Sequence, residues 1–154
     1  AHHRYLHSYP TRRSSDLMGM AVVFWKDEVL VVKGDSEGLL ANLWGFPRVA
    51  LDTAAEPIAQ IQSHLLEQFN VTGEYRGNVN GITHIFTHLK WKPTLFFIEV
   101  SDKIFIEFPI IEWLSVANLD TLAFSTAMSK QFQIVTSFLT KIHADEERHE
   151  IRKS

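Results

Sequence analysis

The segment HIFTHLKW contains most of the residues whose types and spacing could do chemistry. His84 and His88 stand four residues apart, as two ligands of one metal ion could. Zinc needs three or four protein ligands, however, and no others converge in the sequence. The spacing alone therefore predicts no metal site, and we expect His84 to be structural. Lys90, Lys92 and Arg76 could neutralise phosphate groups, although a solvated strand face would show the same pattern.

The short motifs of several common enzyme classes are absent from the sequence. It contains no GxGxxG, no P-loop, no GxSxG and no HExxH. Because there is no cysteine, disulfides, thiolate zinc sites, thiolate-ligated iron–sulfur clusters and cysteine nucleophiles are excluded. The net charge of -3 shows no basic excess, so any binding of nucleic acid must come from a local patch. No apolar run approaches the ~20 residues that a membrane span needs, so we expect no membrane partner.

The elements that must position these residues follow from the apolar pattern. Met20–Trp25 and Val29–Val32 flank a three-residue polar turn and predict a hairpin. Leu43–Ala50 predicts a return to the sheet, with an irregularity at Pro47. Further strands are predicted at Tyr75–Ile82, Ile85–Trp91, Leu95–Val100 and Ile104–Ile111.

Two helices complete the pattern. Thr53–Asn70 has apolar residues at helical spacing, a capping box from Thr53 to Glu56, and a stop at Asn70 and Gly73. A second helix opens at Ser125 or Thr126, with the apolar stripe Met128, Phe132, Val135, Leu139 and Ile142. With 154 residues, the chain predicts one domain of the α+β class, a mixed sheet flanked by two main helices.

The two ends of the chain differ from the part between them. Residues 1–17 contain three histidines and three arginines without an apolar period. We expect this segment to be a leader or a remnant of an expression tag. A paired-histidine metal site is the alternative for this segment. The domain itself is expected at residues 18–142, followed by a solvated polar tail at residues 143–154.

Two sequence motifs together resemble a known family. GLLANLWGFP precedes the first helix and HIFTHLKW follows it, as in the C-terminal domain of MutY-type adenine DNA glycosylases. The resemblance runs from about Met18 to Leu139 and includes LSVANLDTLAFSTAMSKQF, where the family has a short linker and its last helix. It implies a Nudix-like α/β/α sandwich, related to hydrolases of oxidised nucleotides, and a cytoplasmic, nucleoid-associated bacterial protein.

The Nudix relationship can be tested on the metal-binding signature of those hydrolases. That signature places carboxylates one helical turn apart, where they hold divalent cations against a pyrophosphate. Aligned on Asn70-Val71, the signature's first glycine, first glutamate, Arg-Glu pair and Glu-Glu pair fall on Val49, Ala55, Ser63-His64 and Glu67-Gln68. Only Glu67 survives as a carboxylate, and one ligand cannot build the metal site. We therefore expect no catalytic residues and no metal site in this chain.

The resemblance implies a role for the loop motif. In the family, a Phe-Ser-His loop contacts 8-oxoguanine opposite adenine, and the matching residues here are Phe86, Thr87 and His88. An aromatic ring can wedge beside a base, and a hydroxyl can accept from the N7–H that distinguishes 8-oxoguanine from guanine. Thr87 keeps the hydroxyl of the family's serine and adds a methyl group. Alternatively, Phe86 and Leu89 belong to the core and Thr87 is an ordinary strand residue.

The resemblance also implies what other parts the enzyme needs. Adenine excision in the family requires a helical catalytic domain with an iron–sulfur cluster, which cannot fit into residues 1–17. We therefore expect this chain to recognise double-stranded DNA containing 8-oxoguanine opposite adenine, in partnership with that catalytic domain, and not to excise adenine alone. No cofactor is expected in this chain. The alternatives are a Nudix pyrophosphohydrolase of oxidised nucleotides and a protein-docking domain without DNA contact.

Overall fold

A mixed sheet lies between two layers of helix in a computed structural model that describes residues 18–34, 42–85 and 90–153. Within these residues the strands are β1 Met18–Trp25, β2 Glu28–Lys33, β3 Trp44–Gly45, β4 Arg48–Ala50, β5 Glu74–Asn80, β6 His84–Ile85, β7 Lys90–Trp91, β8 Pro93–Glu99 and β9 Ile111–Ser115. The helices are α1 Pro57–Phe69, α2 Thr126–Ser129 and α3 Phe132–Lys153, with a 3-10 helix at Val116–Thr121. This architecture confirms the predicted α+β class.

Strand β1 lies at the centre of the sheet. It pairs in parallel with β8 from Met18↔Pro93 to Phe24↔Glu99, and antiparallel with β2 and β4. The order across the sheet is β3-β2-β1-β8-β5, and β9 pairs with β2. Because helices cover both faces, β1 is apolar on both sides, which explains its continuous run of apolar residues. The predicted hairpin is confirmed, with Lys26 in the left-handed region of its tight turn.

Helix α1 covers one face of the sheet through Ile61, Leu65 and Phe69. It begins at Pro57 and not at Thr53, because Glu56 precedes a proline and has a ψ of 133°, outside the helical range. Residues 52–56 instead form a turn that Gln60 holds by bonds to the backbone of Asp52 and Ala55. The predicted stop at Asn70 is confirmed, since Asn70 adopts a left-handed conformation there.

Helix α3 covers the other face with the predicted apolar stripe. Helix α2 begins at the predicted cap, where Ser125 Oγ accepts from the Met128 amide at 3.2 Å. The two helices are separate elements rather than one continuous helix. The polar segment expected as a tail continues α3 as far as Lys153, so it is a solvated helix. No helix of the described residues is long and apolar enough to cross a membrane.

Two strand predictions need correction. The run Ile85–Trp91 does not form one strand, since His84–Ile85 and Lys90–Trp91 pair antiparallel as a separate two-stranded sheet. The run Ile104–Ile111 is also wrong as a strand, because regular pairing begins only at Ile111 and continues to Ser115. Pro109 lies in this preceding segment and follows a cis peptide bond. In the second segment, aromatic and β-branched residues continue through bends at residues 107–109, so the sequence favours a strand that does not form.

Candidate functional site

The antiparallel pair β6–β7 positions the segment that the sequence singles out. Its register is His84↔Trp91 and Ile85↔Lys90. Trp91 is buried in the core beneath α3, whereas Ile85 is 68% exposed and Lys90 is also exposed. Phe86, Thr87 and His88 connect these strands in sequence and lie outside the described residues, as does part of the motif GLLANLWGFP. Their predicted contacts with a lesion stay predictions.

A buried glutamine holds the chain just before β6. The side chain of Gln131, with 0% exposure, accepts from the Ile82 amide at 2.8 Å and donates to the Ile82 carbonyl at 2.9 Å. It also donates to the Ala127 carbonyl at 3.0 Å. One amide group thus satisfies both backbone groups of Ile82, as a neighbouring strand would do. This arrangement connects the base of the β6–β7 pair to the junction of α2 and α3.

Glycine at position 81 permits this close approach. A Cβ there would lie 2.5 Å from Gln131 Oε1 and 2.6 Å from Leu95 Cδ1, both closer than atoms can pack. The Gly81 amide also donates to the Pro93 carbonyl at 2.9 Å. The chain therefore leaves β5 against both the sheet and the Gln131 side chain.

A second contact reaches β6 from the end of α2. Lys130 Nζ lies 2.8 Å from His84 Nδ1. Because an ammonium group only donates, Nδ1 accepts and the imidazole carries its proton on Nε2 when it is neutral. His84 therefore lies at the base of the β6–β7 pair, in contact with α2, and its partner there is a cation.

Arg76 lies apart from the other predicted site residues. Its guanidinium group forms ion pairs with Glu99 and, at 3.5 Å, with Glu146. Burial opposes its charge, but these carboxylates outweigh burial and raise the pKa of Arg76. Glu99 ends β8, whereas β7 precedes the start of the same strand, about 20 Å away at strand spacing. The structure therefore corrects the expected basic patch: Lys90 and Lys92 lie near the β6–β7 pair, and Arg76 does not.

Helix α1 carries no cluster that could bind a metal ion. Within the described ranges, no three histidine, aspartate or glutamate side chains lie close enough together to do so. Glu67 is exposed, and His64 occupies the position of a signature glutamate. Burial lowers the pKa of His64 below its ordinary value of 6.5, and the Glu67 carboxylate opposes that shift. His64 is therefore mainly neutral at pH 7.

Gln131 is the residue of this site that the sequence predictions missed. It stands three residues after Met128 and four before Val135, so it shares the buried face of the apolar stripe. A polar residue at a core-facing position predicts a buried side chain that needs hydrogen-bond partners. That pattern could have identified it.

The NUDIX domain family matches residues 19–133 of this chain. Among curated proteins, the human adenine DNA glycosylase is 28% identical over an alignment of 115 residues, which covers 70% of this chain and 20% of the human protein. The chain thus spans about a fifth of the length of that relative.

Solved structures share the fold. A Nudix hydrolase from M. smegmatis, RenU, has a TM-score of 0.69 at 11% identity, covering 81% of this chain and 86% of that one. The C-terminal domain of mouse MUTYH, solved in complex with human PCNA, has a TM-score of 0.58 at 22% identity, covering 83% of this chain and 88% of that one. At these identities the likeness concerns the fold alone, and it confirms the expected Nudix-like architecture.

Proposed function

We propose that this chain, which belongs to the NUDIX domain family, is the lesion-recognition domain of an A/G-specific adenine DNA glycosylase. In base excision repair it would recognise 8-oxoguanine opposite adenine, while a helical domain of the same enzyme would excise the adenine. The observation that carries this proposal is the 28% identity over 115 residues to the human adenine DNA glycosylase. The motifs GLLANLWGFP and HIFTHLKW support it independently.

The base of the β6–β7 pair suits a reading role. Gln131 satisfies both backbone groups of Ile82, and Lys130 contacts His84, so the strand that leads into Phe86 is held at two points. A recognition group held in place loses less conformational freedom when it meets its ligand. Exposed Lys90 follows on the return strand, where it can contact a phosphate.

Thr87 would supply the discrimination between 8-oxoguanine and guanine. Guanine N7 is an acceptor, whereas N7 of 8-oxoguanine carries a proton. A hydroxyl oxygen can accept from that proton, and guanine offers nothing equivalent. Phe86 would wedge beside the base, and His88 would contact a phosphate or a base.

Pyrophosphate hydrolysis is the alternative function, favoured by the TM-score of 0.69 to a Nudix hydrolase. The loss of the carboxylate pairs argues against it, because a lone Glu67 cannot bridge a divalent cation to a pyrophosphate. We expect no release of phosphate or pyrophosphate from 8-oxo-dGTP with magnesium. Release above that of a Glu67→Gln variant would favour the hydrolase.

An NMR titration tests the proposed function directly. The chain would be titrated with two duplexes that carry either 8-oxoguanine or guanine opposite a non-cleavable adenine analogue. We expect larger amide shifts at residues 84–90 with the lesion duplex. Equal shifts spread over the lysines would indicate phosphate attraction alone and would contradict lesion reading by this chain.

A pair of matched variants locates the discrimination. Thr87→Val removes the hydroxyl group and keeps the side-chain shape, so we expect it to abolish the difference between the two duplexes. Thr83→Val makes the same change at an exposed position before β6 and should leave that difference intact. Loss of discrimination in both variants, or in neither, would argue against Thr87 as the reading residue.

A further inference from the structure

A groove runs between the edge strand β5 and helix α3. At one end it includes Ile82 and Lys130, which also belong to the site described above, and its other lining residues lie outside that site. Its volume is about 420 Å³, and its apolar lining comes from Val79, Ile82, Ile134 and Phe138. Gln133 and Ser137 form its solvent-exposed rim. The side chains of Ile134 and Phe138 lie one turn apart on α3, so the apolar lining is continuous along the helix.

The groove has a lysine at each end. Lys130 and Lys141 are eleven positions apart, a separation of about 16 Å along helical backbone. Neither lysine forms an ion pair with a carboxylate in the described parts of the chain. The groove therefore combines an apolar centre with two positive ends.

One wall of the groove is β5, which lies at the edge of the sheet. Of the strands that the structure describes, only β8 pairs with β5. A bulge interrupts β5 between Tyr75 and Gly77, and the regular register resumes from Gly77 to Asn80. These last residues lie beside the groove, and their outer backbone groups can accept another strand.

We propose that this groove docks a short extended segment of a partner protein, with acidic residues at its ends and apolar residues between them. The segment adds to the edge of β5 at residues 78–80, and its apolar side chains cover Val79 and Phe138. Its carboxylates pair with Lys130 and Lys141. A seven-residue extended segment spans about 20 Å, long enough to reach both lysines, whose backbone positions are about 16 Å apart and whose side-chain stems are flexible.

The lining of the groove favours a peptide over a nucleic acid. A phosphate backbone needs positive or polar contacts at each phosphate, whereas four apolar side chains line this groove between its two lysines. An acidic peptide matches both the apolar centre and the charged ends. This proposal goes beyond lesion recognition and does not depend on it, since no residue of the segment 86–89 takes part.

A designed peptide tests the proposal on the full 154-residue chain. The probe is a capped heptapeptide with aspartate at both ends, leucine and phenylalanine at positions three and five, and serine elsewhere. We expect amide shifts centred on Val79, Ile82, Ile134 and Phe138, and binding that weakens as salt is raised. A matched peptide with lysine at both ends should bind at least about tenfold more weakly.

Charge reversal on the protein provides the second arm. Lys141→Glu should weaken binding of the acidic peptide about tenfold, whereas Arg152→Glu, an equivalent change at an exposed position further along α3, should not. Equal binding of both peptides, or an unchanged affinity of Lys141→Glu, would overturn the proposal. Shifts of the groove residues caused by duplex DNA, or by raising the protein concentration alone, would also overturn it in favour of nucleic acid or a second copy.

Discussion

At the scale of single residues, Gln131 connects more of the structure than any other polar side chain described near the site. Its side-chain amide bonds both backbone groups of Ile82, as a neighbouring strand would, and also donates to the Ala127 carbonyl. A buried donor or acceptor that loses such a partner costs about 1–3 kcal/mol, and this applies in full to the bond to Ala127, whereas the two bonds to Ile82 are partly buried. Its importance is therefore structural first, because it holds Ile82 in place just before β6.

Replacing Gln131 with methionine should be strongly destabilising. The change keeps the side-chain length but leaves Ile82 and Ala127 without their partner, so we expect the free energy of unfolding to fall by about 2–4 kcal/mol. Urea denaturation measures this loss. Gln133→Met, an exposed change two positions later, should stay within about 0.5 kcal/mol. Equal effects of the two variants would show that the Gln131 bonds contribute little.

His64 predicts a pH dependence of stability. Its pKa is lowered in the folded state, so the unfolded chain binds more protons as pH falls below about 6.5. Stability should therefore be full above that pH and decrease as pH falls through the unfolded pKa towards the lower folded one. His64→Gln should remove this part of the decrease, as measured by denaturation between pH 7 and pH 5. If His149→Gln, at an exposed position, removed it equally, the assignment to His64 would fail.

At the scale of elements, a basic side chain lies near each end of the β5–β8 pair, and the two side chains differ in whether carboxylates neutralise them. At one end, Arg76 is occupied by Glu99 and Glu146, which tie β5, β8 and α3 together. At the other end, Lys90 is exposed beside the predicted reading segment. Among the residues that the structure describes at these two ends, Lys90 has its charge available for phosphate groups and Arg76 does not.

This difference gives opposite expectations for two alanine variants. Lys90→Ala should weaken binding to duplex DNA at low salt and reduce the slope of log affinity against log salt by about 1. Arg76→Ala should leave both quantities unchanged and lower the unfolding free energy by less than about 1 kcal/mol, since its ion pairs are partly exposed. Fluorescence anisotropy over a salt series distinguishes these outcomes. A reduced slope for Arg76→Ala would return that residue to the DNA-binding surface.

Elements with a clear apolar period could be predicted from the sequence, and their ends could not. Strand β1 has a continuous apolar run and the stripe from Met128 to Ile142 has helical spacing, and both patterns correspond to core-facing residues in the structure. The start of α1 depends instead on Gln60 bonding to residue 52, eight positions away, which no local pattern shows. The break between Ile85 and Lys90 was likewise hidden, because the residues on both sides favour a strand.

At the scale of the whole molecule, one sheet supports two separate cores. The α1 side and the α3 side share β1 and β8 but have different apolar clusters. The α1 side is where the signature of the hydrolases has lost its carboxylates, and the α3 side holds the β6–β7 base and the groove. The helix that carries the lost hydrolase signature and the candidate contacts therefore lie on opposite faces of the sheet.

The last turns of α3 should be dispensable for stability. His143 contacts the Lys26 carbonyl at 2.9 Å and Ile142 is buried, whereas residues 147–152 are exposed. Deleting residues 147–154 should change the melting temperature by less than about 2 °C. A deletion that also removes Ile142 should lower it by much more. Similar losses from both deletions would mean that the exposed end of α3 contributes to the core.

The bulge at Gly77 has a consequence for solubility. Gly77 has a φ of 118°, and a Cβ there would lie 3.2 Å from the ring of Phe138, so another residue would disturb both backbone and packing. By interrupting β5, the bulge leaves only a short regular stretch at an edge that could otherwise recruit identical chains. The short regular edge can thus pair with a short strand of another molecule, while the bulge opposes the extended pairing that builds a fibril.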